Sequence, residues 1–140
     1  MSKSQALQMS VHAAVSATSL IALTCDNTLS NDKYEKVKKT VLKLHKDVLE
    51  FNKKLLTLEI DYQKNETTKV SKENLKRAIK ISLEVRKVAQ GIEKIGFRLT
   101  KIGDKNMHAD ARTAIHLAHA SSKSALENIK VNKSMLAKIK

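Results

Sequence analysis

The sequence predicts an all-α protein built as an antiparallel bundle of about four long helices. Proline is absent and glycine occurs only three times, so the residues that tight β-hairpins and barrels need are missing. Ala, Leu, Lys and Glu, which favour helices, dominate the composition. Because 41% of the 140 residues are hydrophobic, the chain can bury a core, and we expect one domain over residues 1–140.

The first helix is expected from Ser4 to Thr24, a segment rich in Ala, Ser and Thr. Its apolar stretch from Val11 to Leu23 is shorter than the roughly 20 residues that a membrane span needs. No secretory signal is evident either, so we expect a buried core helix and no membrane association. The polar residues from Asp26 to Asp32 offer N-caps to the helix that follows.

Two apolar rows run along the second predicted helix, which is expected to begin at Tyr34. The first row advances in strict steps of three and four: Val37, Val41, Leu44, Val48, Phe51, Leu55, Leu58 and Tyr62. This stripe is typical of a long helix packed against near-parallel neighbours. The second row is Leu42, Leu49, Leu56 and Ile60. It predicts that this helix meets more than one partner, as in a bundle.

A polar turn over residues 65–69 separates the second helix from the third, for which Ser71 is a good N-cap. Gly103 suits the end of the third helix, and the fourth is expected to begin near Asn106 to Asp110. The fourth carries a row of small residues that ends in two amides: Ala111, Ala114, Ala118, Ser121, Ala125, Asn128 and Asn132. This row predicts that a backbone or a ligand approaches this face of the helix closely, and that the two amides form hydrogen bonds there.

Lysine gives the chain a strong positive charge. There are 27 basic and 14 acidic residues, for a net charge of +13, which suits nucleic acid, an anionic membrane or a polyanionic small molecule, and equally a solvated surface. Since Arg and aromatic residues are scarce, nucleic acid would be contacted through its phosphates without sequence choice.

The cysteine and histidine content argues against a disulfide and a metal site. Cys25 is the only cysteine, which excludes an internal disulfide and makes a reducing, cytoplasmic location the expectation. His116 and His119 are three residues apart, but no cluster of Cys or carboxylates supports them, so no metal is expected.

Two motifs near the C-terminus resemble a known family. Residues 103–110, Gly-Asp-Lys-Asn-Met-His-Ala-Asp, resemble the Gly-Asn-x-x-x-x-Ser-Asp signature of formiminotransferase-cyclodeaminase and related methenyltetrahydrofolate cyclohydrolases. Residues 128–132, Asn-Ile-Lys-Val-Asn, are similar to the family's Asn-Val-x-Ile-Asn-Leu run and lie in register with the first motif. Farther upstream, the segment from Glu59 to Tyr62 stands where the family has an acidic pair before an aromatic residue.

The resemblance implies a cyclodeaminase-like fold, a homodimer and a tetrahydrofolate derivative as substrate. If that folate carries a polyglutamylated tail, nearby lysines would contact the tail. It implies catalytic roles for Asp110 and Asp61. The ligand-binding residues that it implies are Gly103, Asp104, Asn106, Asn128 and Asn132. Met1 to Ser4 stand where the family has Pro-Gly-Gly-Gly-Ser, so enzymatic activity is left open. The alternative is a non-catalytic, strongly basic, dimeric relative that binds nucleic acid or another polyanion.

Overall fold

Four long α-helices and two short 3₁₀ helices form the computed structural model, which describes residues 3–66 and 69–139. In chain order these are α1 (Lys3–Leu29), a 3₁₀ helix (Asp32–Val37), α2 (Lys38–Glu66), α3 (Lys72–Ile102), a 3₁₀ helix (Lys105–Met107) and α4 (His108–Lys138). The described residues contain no strand, and the predicted all-α bundle of four helices is confirmed. Met1 and Ser2 of the N-terminal segment and Thr67 and Thr68 of the predicted turn lie outside the described residues.

Consecutive helices run antiparallel, so α1 also lies antiparallel to α4. The start of α1 lies beside the end of α2, where the His12 imidazole is 3.2 Å from the Glu59 carboxylate. It also lies beside the middle of α4, where the Ser10 hydroxyl donates to the Ser121 carbonyl at 2.7 Å. The end of α1 meets the connection between α3 and α4, where the Asp104 N–H donates to the Thr28 hydroxyl. The bundle therefore has two ends with different residues, and each end draws on several helices.

Helix α1 continues to Leu29, so its predicted end at Thr24 is wrong. The hydroxyl groups of Thr24 and Thr28 each donate to the carbonyl four residues earlier, at 2.8 Å. These hydrogen bonds satisfy the two hydroxyls inside the helix. The segment after Thr24 stays helical because Cys25 and Thr28 are buried against neighbouring helices. Asn31 provides the expected cap, because its side chain accepts from the backbone N–H of Lys33 at 3.1 Å.

By length and composition alone, Gln5–Leu29 could cross a membrane. In the bundle this helix contacts α2, α3 and α4. It supplies fully or almost fully buried side chains to the core: Leu7, Val11, Ala14, Ala17, Ile21 and Cys25. Helix α1 therefore contributes one face to the core, as expected, while Met9 and Leu23 on its other face are exposed.

The two rows of α2 have different environments. The first row packs into the core, since Val41, Val48 and Leu55 are fully buried and α2 contacts both α1 and α3. The helix thus meets two partners, as predicted. The second row is not needed for these contacts: Leu42, Leu49, Leu56 and Ile60 are 46–51% exposed.

The predicted boundaries and the small-residue row of the last two helices hold. Ser71 caps α3, as its hydroxyl accepts from the Asn74 N–H at 3.1 Å. Gly103 ends this helix and donates its N–H to the Leu99 carbonyl at 2.8 Å. All seven small or amide residues of the α4 row, from Ala111 to Asn132, are buried. Close approach of neighbouring backbones along α4 is thus observed.

Candidate functional site

Buried polar side chains meet where α4 ends beside the beginning of α3 and the end of α2; we call this region the amide end. Asn128 and Asn132 lie here on the last turns of the buried α4 row, 2% and 0% exposed. The Asn128 amide donates to the Ser82 hydroxyl of α3 at 2.8 Å. Ser82 is itself fully buried, so the two residues satisfy one another across the α3–α4 interface.

Tyr62 of α2 extends the buried polar group at the amide end. Its ring is 3% exposed, and its hydroxyl lies near the Asn128 amide and the Glu66 carboxylate without a hydrogen bond of normal geometry to any described residue. Burial, followed by the charge of Glu66, raises the pKa of the Tyr62 phenol well above its ordinary value. The phenol therefore keeps its proton and can donate a hydrogen bond.

Asn132 differs from Asn128 because its amide has no hydrogen-bond partner among the residues that the structure describes. It is fully buried, yet neither Oδ1 nor Nδ2 forms a hydrogen bond with any described residue. Asn132 lines a cavity of about 40 Å³, which has room for a small polar group. Asn65, Glu66, Asn74 and Leu75 are among the other lining residues. An unpartnered buried amide costs free energy, so this site has unused capacity to bind a polar molecule.

Asp61 lies at the same end of the bundle but on its outer side. It is half-buried and lines a groove of about 180 Å³ between α2 and α3, together with Arg77, Lys80 and Glu84. Two cations can thus hold a carboxylate or another anion next to Asp61. Although Asp61 is adjacent to Tyr62 in the sequence, its side chain lines this outer groove and not the cavity beside Asn132.

The first family-like motif lies at the opposite end, which we call the turn end, and forms the connection between α3 and α4. The Asp104 carboxylate accepts from the Asn106 N–H at 2.9 Å, and the Asp104 N–H donates to the Thr28 hydroxyl at 2.8 Å. The Lys105 N–H donates to the Tyr34 hydroxyl at 3.0 Å. Asn106 itself is exposed. These residues fasten the turn to α1 and to the 3₁₀ helix before α2.

Gly103 is required by the turn geometry. A Cβ at this position would lie 2.7 Å from the Leu99 carbonyl oxygen, closer than side-chain carbons approach backbone oxygens. The Gly103 carbonyl is 3.2 Å from Nε2 of His108, the first residue of α4. A compact turn that positions α4 is thus a structural reason for this glycine.

Asp110 lies in the first turn of α4 and is half-buried. A carboxylate at this position complements the helix dipole. Eighteen residues separate it from Asn128, and at 1.5 Å per residue the two side chains start about 27 Å apart along the helix. Within one chain, the two motifs therefore do not line a common pocket.

Two residues that the sequence pattern did not single out, Ser82 and His12, take part at the amide end. Ser82 binds Asn128, and its position between the apolar Ile81 and Leu83 was a usable signal for a buried hydroxyl. His12 pairs with Glu59, which required knowledge of how α1 and α2 align. No local pattern in the sequence identified Asn128 as the partner of Ser82 or Glu59 as the partner of His12.

Metal and thiol chemistry have no support in the part of the chain that the structure describes. Residues 3–66 and 69–139 contain no group of three or more His, Cys, Asp or Glu side chains that could hold a metal ion. Burial raises the pKa of the Cys25 thiol to about 12, so the reactive thiolate is scarce near neutral pH.

Comparisons with known proteins agree on one family. The family model described as formiminotransferase-cyclodeaminase matches residues 59–139. The fold is similar to that of formiminotetrahydrofolate cyclodeaminase from Thermotoga maritima, with a TM-score of 0.88 and 20% sequence identity over 95% of this chain and 72% of that one. No curated protein matches the sequence. With the family model covering more than half of its length, the chain belongs to the formiminotransferase-cyclodeaminase family.

Proposed function

We propose that the chain binds a tetrahydrofolate derivative at the amide end and acts on its one-carbon group, as a cyclodeaminase or as a methenyltetrahydrofolate cyclohydrolase. The observation that carries this proposal is the fully buried amide of Asn132, whose oxygen and nitrogen have no hydrogen-bond partner among the described residues. A side-chain amide offers a donor and an acceptor side by side, which suits the edge of a pterin ring. Membership of the family supports folate as the chemical class.

Asn128 and Tyr62 would shape the same binding surface. Asn128 is held by Ser82, so its carbonyl oxygen is left to accept a hydrogen bond from a ligand. The raised pKa of Tyr62 keeps its hydroxyl protonated and able to donate. A ligand that enters from the Asn132 cavity would therefore meet donors and acceptors that are fixed by helix packing.

The reaction needs a group that moves one proton. A cyclodeaminase joins the N10 nitrogen to the formimino carbon and expels ammonia, which takes up a proton. A cyclohydrolase adds water to the methenyl carbon and breaks one of the two bonds from that carbon to nitrogen, which leaves a formyl group and releases one proton. A carboxylate can accept and return that proton, and we assign this role to Asp61 or Asp110. The lysines near Asp61, such as Lys80, would attract a polyglutamylated tail.

A homodimer would allow both ends to serve one ligand. Asp110 and Asn128 begin about 27 Å apart along α4 in one chain. A two-fold axis that pairs the turn end of one copy with the amide end of the other would bring both motifs together at two equivalent sites. We therefore propose a dimer in which each site uses residues from both chains.

Ligand binding tests the assignment of Asn132. We expect methenyltetrahydrofolate to raise the melting temperature of the wild-type protein, and the Asn132→Leu variant to lose that shift while remaining folded. The matched control is Asn27→Ala, which removes a helical amide that, among the described residues, bonds the Leu23 carbonyl alone. Absorbance of the methenyl form would report hydrolysis, and ammonia release from formiminotetrahydrofolate would report deamination. Absence of both a shift and a reaction would overturn the proposal.

A mixing experiment tests the shared site. Asp110→Asn and Asn132→Leu are each expected to abolish activity. After unfolding and refolding together in equal amounts, half of the dimers would be mixed and would carry one intact site of two, so about a quarter of wild-type activity should return. No recovery, with dimers confirmed by sedimentation, would show that each chain works alone.

A further inference from the structure

The outer face of α2 carries a narrow stripe in which leucine and lysine alternate. Its members are Lys39, Leu42, Lys46, Leu49, Lys53, Leu56 and Ile60, and all are exposed. Steps of three and four keep these residues on one line along the helix. We call this line the Leu/Lys stripe. Its apolar members are the second row of α2, and helices α1 and α3 leave the stripe uncovered.

The apolar members of the stripe differ from the exposed leucines of other helices, such as Leu23 and Leu83 at 47%, because they form a continuous row. Leu42, Leu49 and Leu56 are 46–50% exposed and seven residues apart, and Ile60 is 51% exposed. Heptad spacing of this kind is the pattern by which one helix receives another. Single exposed leucines are common on protein surfaces, but a repeated row of them marks an interaction surface.

The charges of the stripe all have the same sign. It contains three lysines and no acidic residue, and none of these lysines forms an ion pair within the described residues. The neighbouring Lys43 and Lys54, in contrast, pair with Asp47 and Glu84 at 2.7 and 2.9 Å. The lysines within the stripe are thus available to an acidic partner.

We propose that the Leu/Lys stripe docks an acidic amphipathic helix of another protein, with apolar residues every seventh position and Asp or Glu between them. Leu42 and Ile60 are about 27 Å apart along α2, so the contacting helix needs about 18 residues. Each partner carboxylate would face a lysine while the apolar residues cover the leucines. Charge complementarity would set both the choice of partner and its register.

Other occupants fit the stripe less well. A second copy placed antiparallel across it would set Lys46 opposite Lys53, and such like charges repel. A lipid surface would take the leucines, but the lysines lie in the same line and would have to enter at equal depth. Nucleic acid would contact the lysines through its phosphates and leave the leucines exposed to water.

The test uses a labelled synthetic peptide of about 28 residues with leucine every seventh position and glutamate at the positions that face the lysines. Fluorescence anisotropy should show saturable binding to the wild-type protein. Two variants should each weaken binding at least about tenfold: Leu42→Gln/Leu49→Gln/Leu56→Gln and Lys46→Glu/Lys53→Glu. The control Leu83→Gln/Lys87→Glu changes an exposed leucine and an exposed lysine of α3 and should bind normally.

Charge reversal makes the test stricter. A peptide with lysine in place of glutamate should not bind the wild-type protein, but it should bind Lys46→Glu/Lys53→Glu. Circular dichroism would establish that every variant stays helical. Absence of peptide binding overturns the proposal. Three other results would also overturn it. The first is binding of the wild-type protein to phosphatidylserine vesicles that the leucine variant loses, and the second is a wild-type dimer in sedimentation that the leucine substitutions dissociate. The third result is binding that the leucine variant keeps and the lysine variant loses, as expected for DNA.

Discussion

The amide end and the turn end of the bundle are both rich in polar residues, but they differ in whether those residues have partners. At the turn end, Asp104 accepts from Asn106 and donates its N–H to Thr28. At the amide end, Asn132 is fully buried and both polar atoms of its amide lack a partner among the described residues. A polar motif alone therefore does not separate a structural turn from a binding surface, whereas unmet hydrogen-bonding capacity does.

The two family-like motifs differ in how far the fold explains their residues. The motif of residues 103–110 has a complete structural explanation for Gly103 and Asp104, because they close the turn and fasten it to α1. The motif of residues 128–132 has such an explanation for Asn128 but not for Asn132. We expect substitutions at the two ends to differ in size and in sign.

The largest effect is expected from Gly103→Ala at the turn end. The added Cβ would lie 2.7 Å from a backbone oxygen, which cannot move without distorting the turn, so we expect a loss of about 3 kcal/mol in the free energy of unfolding. Urea denaturation followed by circular dichroism measures it. At Gly91 an added Cβ would meet the tip of the Phe51 ring, which belongs to a side chain and can shift through χ1, so Gly91→Ala should cost much less. If Gly103→Ala and Gly91→Ala lower the free energy of unfolding equally, the turn does not require glycine at position 103.

A smaller loss is expected from Asn128→Leu at the amide end. The substitution removes the partner of the buried Ser82 hydroxyl, and leaving that hydroxyl unpaired should cost about 1–2 kcal/mol. Adding Ser82→Ala should recover part of the loss, because both members of the hydrogen bond are then gone. Urea denaturation of the two single variants and the double variant gives this coupling energy. Strict additivity would show that the hydrogen bond contributes nothing.

The smallest effect, with the opposite sign, is expected from Asn132→Leu. This change replaces an unpartnered buried amide by an apolar side chain of similar size, so the free energy of unfolding should stay level or rise by up to about 1 kcal/mol. Asn132→Ala, which enlarges the cavity instead, should destabilise the protein. If Asn132→Leu is as destabilising as Asn128→Leu, the Asn132 amide has a partner in the folded protein and the contrast fails.

Periodicity in the sequence was sufficient to predict most of the fold. The steps of three and four in α4 identified every buried residue of its small row, and the Ser71 cap required only a favourable residue at a helix start. The end of α1 was harder to predict, because the residues after Thr24 usually end helices, whereas burial of Cys25 and Thr28 against neighbouring helices keeps this segment helical.

The candidate site was predicted less well, since its geometry depends on helix alignment. The distance between Asp110 and Asn128 follows from a continuous α4, so it could be calculated from the sequence once that helix was predicted. The pairing of Asn128 with Ser82 and of His12 with Glu59 depends on the relative heights of separate helices, which no local pattern encodes. The exposure of the Leu42 row likewise depends on which face of α2 its neighbours cover.

The hydrogen bond between Ser10 and Ser121 has a consequence for the order of folding. It joins residues that are 111 positions apart, whereas α3 and α4 are joined by the short turn over residues 103–107. Closing a long loop costs more chain entropy than closing a short one, so we expect the α3–α4 hairpin to form early and α1 to dock late. The core then becomes complete only when the N-terminal helix takes its place against the C-terminal one.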